Sequence, residues 1–245
     1  MSDTKISALT SLTGADVDIA ADFVPVVDTS ANTTKKIVPS NLIGSAFTTA
    51  GDILQASGDG VGARLGIGTK RQVPMVNSGA TAIAYANPIT LGTEQATTSG
   101  TSKDFTSIPS AVRRITVMFK GVSGNGTSNI IVQLGDSGGI EATGYLGSGS
   151  YVASSGSVGA TNFTTGFGIF ASSESDVLHG SMVLTLEDSS DFTWTCTSIM
   201  SSSASGVVFS SSGSKALSAE LDRIRITYVN GTDAFDAGAV NISYE

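Results

Sequence analysis

The feature that constrains this chain most is a two-residue alternation that occurs twice, far apart, in related wording. Between Ala111 and Leu134 the sequence reads AVRRITVMFKGVSGNGTSNIIVQL. Val112, Ile115, Val117 and Phe119 are apolar, and Arg114, Thr116, Met118 and Lys120 form a mixed set around them. A period of two turns alternate side chains to opposite faces of a strand, one buried and one wet. Gly121 to Asn129 supplies the Gly, Ser and Asn that a turn needs, and Ile130 to Leu134 resumes the apolar run. Further on, Leu221 to Val229 (LDRIRITYV) alternates, Asn230-Gly231 starts a turn, and Ala239 to Tyr244 (AVNISY) alternates again. Each stretch is expected to form a hairpin-like unit of one antiparallel sheet system. Residues before Gly100 would serve to hold that system in place.

A chain of 245 residues allows one large β domain or two smaller units. Only 14% of residues are charged, while Gly, Ser and Thr are abundant and helix signals are scarce. No apolar run is long enough to cross a bilayer, and MSDTKISALTSL lacks an apolar signal core, so neither membrane insertion nor secretion is expected. Cys196 is the single cysteine, which excludes an intrachain disulfide framework. The sequons at Asn32, Asn125, Asn162, Asn230 and Asn241 then read as chance matches in a chain rich in Ser and Thr. The net charge of −8 is uneven: residues 1–129 carry 10 basic and 9 acidic groups, residues 130–245 carry 3 and 12. Such an acidic second half repels phosphates, so nucleic acid is not an expected partner.

Residues that bear chemistry are few. His179 is the only histidine, which disfavours a triad or a multi-histidine metal site. Cys196, in FTWTCTSIM, reads as a small buried hydrophobe. Glu187, Asp188 and Asp191 in EDSSDF, and Glu174 and Asp176 in SSESD, read as solvated turns rather than a glycosidase pair. Asp233 and Asp236 are weak calcium candidates. Glycines 58, 60, 62, 66 and 68 lack the GK(S/T) and the strand-to-helix context of a phosphate loop. No catalytic residue, cofactor or metal site is expected, and the chain does not read as an enzyme. Tyr145, Tyr151, Phe163, Phe167 and Phe170 are expected to pack in a core or between copies before they stack on a ligand.

Taken in order, residues 1–50 read as an anchoring segment. Ile6, Leu9, Leu12, Phe23, Val24 and Val26 are too few and scattered for a private core. FVPVVD suits an edge strand because Pro25 cannot donate to a ladder, TTKKIV is able to pair with it, and Pro39 to Leu42 suits a short helix. Lys5-Ile6-Ser7-x-Leu9, Leu12-Thr13-Gly14-Ala15-Asp16, Phe23-Val24-Pro25-Val26-Val27 and Thr34-Lys35-Lys36 resemble the N-terminal segment of tailed-bacteriophage fibre and virion-associated proteins, with a longer spacing at Asp18 to Asp22. Gly51-Asp52-Ile53-Leu54, Arg64-Leu65-Gly66-Ile67-Gly68-Thr69 and Gln72-Val73 through Gly79 are similar to a stem module of such fibres, with Pro74 at a position that is usually apolar. Ser99-Gly100-Thr101, Asp104-Phe105-Thr106, the Val112 to Phe119 stretch, Leu221 to Thr227 and Asn241 to Glu245 resemble a C-terminal domain common in the same family.

This resemblance implies an all-β chain in three parts: residues 1–50 as a virion-anchoring segment, 51–98 as a slender trimeric β stem or linker, and 99–245 as an antiparallel β-sandwich tip, jelly-roll-like. Ile53, Leu54, Leu65 and Ile67 would line the stem of a homotrimer. Other virion structural proteins would grip the N-terminus, and the tip would contact a host-surface glycan or protein through loops that include Tyr151, Glu174 and Asp176. The expected role is attachment within the virion, as a tail fibre; a capsid-mounted head fibre or decoration protein is the alternative, and a glycan depolymerase or an independent carbohydrate-binding module is less favoured. Between residues 135 and 218, strands are expected at Phe163 to Phe170, Met182 to Leu186, Phe192 to Ile199 and Val207 to Ser210. The Ser/Gly-rich loops between them would carry the binding surface.

Overall fold

A computed structural model describes residues 24–28, 33–37, 49–56, 62–77, 79–170 and 173–245, and every regular element among them is a strand. The chain divides into two compact units, residues 1–88 and 89–245.

The first unit is a series of two-stranded antiparallel sheets. β1 (Val24–Asp28) pairs with β2 (Thr33–Ile37), with Val24 opposite Ile37, as FVPVVD and TTKKIV lead one to expect. Ile6, Leu9, Leu12, Phe23 and the short helix expected at Pro39 to Leu42 lie outside the described residues. β3 (Ile53–Ala56) pairs with β4 (Gly62–Leu65), and β5 (Val73–Val76) with β6 (Ile83–Ala86). Polar side chains organise these hairpins. Asp52 accepts hydrogen bonds from the Thr49 and Ile67 amides and from the Arg64 guanidinium, and Gln55 accepts one from the Ile83 amide, tying β3 to β6. Apolar packing is thin. Ile53, Leu54, Ile67, Val73 and Met75 are exposed, and Val76 reaches 68%; Leu65 is half-buried. A two-stranded sheet with its apolar side chains in water is marginal by itself.

The second unit opens with three short strands, β7 (Thr90–Leu91), β8 (Gln95–Ala96) and β9 (Ser102–Phe105). Then follow β10 (Arg114–Gly124), β11 (Ile130–Asp136), β12 (Gly139–Ile140), β13 (Leu146–Ala153), β14 (Val158–Phe163), β15 (Phe167–Ile169), β16 (Leu178–Asp188), β17 (Thr193–Ser202), β18 (Val207–Ala216), β19 (Arg223–Tyr228) and β20 (Phe235–Tyr244). They form two antiparallel sheets. The larger has nine strands in the order β14-β13-β18-β17-β16-β10-β20-β7, with β8 also on β20; the smaller has five, β12-β11-β19-β9, with β15 on β11. Because β7 and β8 hydrogen-bond to β20, residues 89–98 belong to this unit and not to a linker before it. The run expected at Phe163 to Phe170 splits between the end of β14 and β15.

The two alternating stretches do not close on themselves. β10 lies in the larger sheet and β11 in the smaller, and β19 and β20 divide in the same way. The pairing runs between the stretches: β10 with β20, Ile115 opposite Tyr244, and β11 with β19, Ile130 opposite Tyr228. Each expected hairpin is therefore a corner that carries the chain from one sheet to the other. The physical reason lies in the loop. A two-residue turn would zip its flanking strands together, whereas Asn125 to Asn129 spans the gap between sheets. The corners nest: the Asn125 amide donates to the Ala234 carbonyl, and the Ala234 amide donates to Asn125 Oδ1. At Gly124 any Cβ would run into the Tyr228 hydroxyl and the Ala234 carbonyl, so glycine is required by close approach, not by its dihedral freedom.

One apolar core fills the space between the sheets. Ile115, Val117 and Phe119 of β10 and Met182 and Leu184 of β16 meet Ile130, Val132 and Leu134 of β11 and Ile224 and Ile226 of β19 there. β10 alternates from Arg114 to Lys120, with Ile115, Val117 and Phe119 buried, and then slips by one residue at Gly121, where the register shifts, so that Val122 and Gly124 are buried; β11 is buried at every position. Full burial of each such side chain contributes about 1.5–3 kcal/mol. The shared core makes this unit an all-β, sandwich-like body.

Candidate functional site

Strand direction sorts the loops of the second unit into two groups. β16 runs from Leu178, opposite Ser202, to Leu186, opposite Trp194. At the Leu178 end lie the loops 153–158, 173–178 and 202–207, which are distant in sequence and joined in space. The Ser154 amide donates to the Gly206 carbonyl at 3.1 Å and the Ser203 amide to the Val177 carbonyl at 3.0 Å. Ser205 Oγ donates to Asp176 Oδ1 at 2.6 Å, and Ser202 Oγ accepts from the Val177 amide. The Ser/Gly-rich stretches around residues 148–157 and 201–206 and the acidic turn at Glu174 to Leu178 therefore meet at one end of the unit, although residues 148–153 belong to strand β13 and only 154–157 are loop. The chain enters the unit at the other end, where Thr90 and Leu91 pair with Tyr244 and Ser243.

The individual residues expected on that surface differ in role. Glu174 is exposed. Asp176 is 4% exposed and acts inside the cluster as the acceptor for Ser205, so its carboxylate fixes the loop instead of meeting a partner. Tyr151 sits half-buried with its ring 4.8 Å from that of Phe170. It packs against the core because its position in β13 has inward parity with buried Gly149. Ser154, Ser155, Ser157 and Ser203 are exposed beside Glu174 and Val158; a ligand there would meet hydroxyls, one carboxylate and some apolar surface.

Elsewhere the polar side chains serve structure. Asp188 Oδ1 accepts from the Ser190 amide and hydroxyl, and Asp191 Oδ1 from the Thr193 amide and hydroxyl. Asp233 accepts from the Ser128 amide and from Asn230 Nδ2, and Asp236 from Ser123 Oγ, which spends the calcium candidates on the corners. Among the described residues no cluster of metal-ligating side chains forms. His179 is exposed on β16. Cys196 is buried, and burial pushes its thiol up to about 12, which removes the thiolate that reactivity requires.

One polar network was missed from sequence. Lys215 is 6% exposed and makes an ion pair with Glu141, with its ammonium 5.7 Å from the Tyr145 ring centroid. Glu141 Oε1 also accepts from the Ser218 amide, and Ser218 Oγ donates to Asp136 Oδ2. Burial acts to raise the Glu141 carboxyl, but the hydrogen bonds from Lys215 and Ser218 outweigh it and hold it below its ordinary value. Asp136 is lowered by the Ser218 hydroxyl and the Gly138 amide. Burial raises the Tyr145 phenol, so it remains protonated, accepts from the Leu134 amide and donates to the Glu141 carbonyl. A signal for Lys215 did exist: counting in twos from Phe209 along β18 reaches Lys215 on the inward face.

No helix among the described residues is long and apolar enough to cross a membrane. Comparisons with protein-family models, with curated proteins and with solved structures find no match, so functional argument rests on the residues and their arrangement.

Proposed function

We propose that this chain is a structural protein of a bacteriophage virion, a homotrimeric fibre held to the particle by its N-terminal segment. On this reading residues 1–50 are the anchor, residues 51–98 a slender trimeric stem or linker whose last strands, β7 and β8, pair with the tip, and residues 99–245 a jelly-roll-like tip that binds the host surface. The observation that carries the reading is the polarity of the second unit: the chain enters at one end, and three serine-rich loops gather at the other. Repeated crossing between sheets, as at β10 to β11 and β19 to β20, supports the jelly-roll-like wiring. Trimerisation is supported by the exposed apolar side chains of the β3–β4 and β5–β6 hairpins, which further copies would cover.

Binding at such a surface is shallow. One uncharged glycan contact typically gives a Kd of roughly a millimolar, about −4 kcal/mol; three tips on a fibre, and several fibres on a particle, raise avidity by roughly 10²–10⁴. The test is replacement of loops 153–158, 173–178 and 202–206 by unrelated Ser/Gly turns in the particle-borne protein. Adsorption to host cells should fall while the trimer, measured by sedimentation, persists. Adsorption that survives all three replacements would instead favour a capsid-mounted decoration protein.

A further inference from the structure

The outer face of the larger sheet changes character along its width. β13, β14, β17 and β18, of 8, 6, 10 and 10 residues, contain one charged side chain, Lys215, and it points inward, 6% exposed. The neighbouring β10 and β16 carry exposed Arg114, Lys120, Glu187 and Asp188. Register places Val158, Val152 and Val208 in one row across three strands, with Ser150, Ser210 and Ile199 running beside it. Val158 is 71% exposed and Ile199 65%. A surface that stays in water is typically about a quarter to a third charged, and contiguous apolar side chains on it mark a contact. A shallow groove of about 370 Å³ crosses this face; its walls are serine hydroxyls, Thr197, Ala160 and Ile199, with no charge or ring to hold a small ligand. The face also ends on an open edge. β14 is the terminal strand of the sheet, and VGATNF has neither the charge nor the proline that blunts an edge. β7 and β12, at two other edges, are only two residues long.

We propose that this face is an interface between copies of this chain, the second unit of one copy packing on that of the next. Each copy carries a net charge of −8, so copies repel one another except where both surfaces are uncharged. A strongly charged partner would find no complement here. A neutral glycan would find no platform to stack on: the rings of Trp194, Phe209 and Phe163 are buried on the inward side, and Tyr151 packs on Phe170. The area suffices. At about 4.8 Å between strands and 3.3 Å per residue, the four strands offer roughly 500 Å² of planar footprint, and the relief of standing side chains brings this toward the ~800 Å² per partner of specific interfaces. Removing water from Val152, Val158, Val208 and Ile199 drives the association, while the short serine side chains permit close approach and hydrogen-bond across it. The contact between copies stands by itself; only its repetition to three rests on the fibre reading. It adjoins the loops at 153–158 and 202–207, so assembly draws the loop clusters of neighbouring copies together.

The full-length protein tests this through single thiols. Cys196 is buried and its thiol is pushed up to about 12, so Ile199→Cys supplies the one reactive thiol on the face. Thr106→Cys, exposed just after β9 of the smaller sheet, is the reference outside it. Each variant is labelled with a maleimide at micromolar concentration, and its mass is measured by sedimentation. Expected is an oligomer in which Ile199→Cys reacts at least tenfold more slowly than Thr106→Cys. Adding Val152→Arg to Ile199→Cys should restore the reference rate, and Val208→Arg serves if that variant does not fold. An oligomer with equal rates would overturn the proposal and leave the trimer reading standing. A monomer with equal rates would overturn both. Slow labelling that neither arginine relieves, or that appears only when dextran is added to a monomer, would also overturn it, the last in favour of a neutral glycan.

Discussion

The two units of this chain use the same secondary structure to opposite effect. In the first, sheets stop at two strands and large apolar side chains such as Ile67 and Val76 stay in water. In the second, two broad sheets close over a shared core in which Ile115, Val132 and Leu184 are fully buried. What separates them is reach: every described strand pair of the first unit joins neighbours in sequence, whereas β10–β20 and β11–β19 join strands from opposite ends of the second. Local pairing makes hairpins; a core needs non-local pairing, and the described hairpins without it leave their apolar side chains exposed.

The comparison breaks most visibly in the core. Phe119→Ala, at 4% exposure, should destabilise the second unit by about 3–5 kcal/mol, read as a shift in urea midpoint at unchanged slope. Leu54→Ala should leave that midpoint within about 0.5 kcal/mol but lower the sedimenting mass if copies cover the stem. A compact monomer of wild-type mass at micromolar concentration would remove the contrast altogether.

Next comes Glu141→Ala, which leaves Lys215 buried without its carboxylate. Removing one partner of a buried pair costs about 3–5 kcal/mol, and because Glu141 is 23% exposed the expected loss is nearer 2–3. A loss below about 0.5 kcal/mol in chemical denaturation would mean that Lys215 reaches water. Gly124→Ala should follow at about 1–3 kcal/mol, the usual cost of forcing extra atoms into packed space, and Gly156→Ala, with open space at its Cβ, should cost less despite its positive φ.

Acid gives the smallest effect. The carboxyls of Asp136, Asp222 and Glu141 titrate below their ordinary values of 3.8, 3.8 and 4.5 in the folded state. Groups lowered by folding contribute stability that is complete above those ordinary values and is lost as pH falls through the lowered ones. Tm should therefore be flat from pH 5 to 7 with respect to these groups and decline below about pH 4. Asp136→Asn should shallow that decline; an unchanged slope would remove Asp136 from the linkage.

Much of the strand content was legible because faces are local: the alternation at Ile115 to Phe119 and at Phe192 to Cys196 names the buried side before any partner is known, although it fails at Ser198, which is buried, and at Ile199, which is exposed. Partners are not local. Nothing in RRITVMFKG or RIRITYVNG distinguishes a strand that returns on itself from one that turns a corner, and only the length of the Asn125 to Asn129 spacer hinted at it. On the candidate surface, the loops were visible within Ser/Gly-rich stretches, but the burial of Asp176 was not, since it depends on Ser205 arriving from another loop. Trp194 was seen as a strand residue; that its buried N–H lacks an acceptor among the described residues is a property of packing, which no single-strand pattern encodes.

The pairing of β10 with β20 also sets the order in which the unit is able to form during synthesis. Until Phe235 to Tyr244 has left the ribosome, β10 presents an open edge, and the corner at Gly124 lacks the Tyr228 and Ala234 groups that nest against it. The meander β16–β17–β18 is complete much earlier and needs only short loops. The nascent chain thus carries a half-built sheet with an unprotected central strand, a state in which edge-to-edge association competes with folding. High production rates should drive this protein toward aggregates, and slowing synthesis should favour the soluble form, with the sheet closing only when its most distant strand arrives.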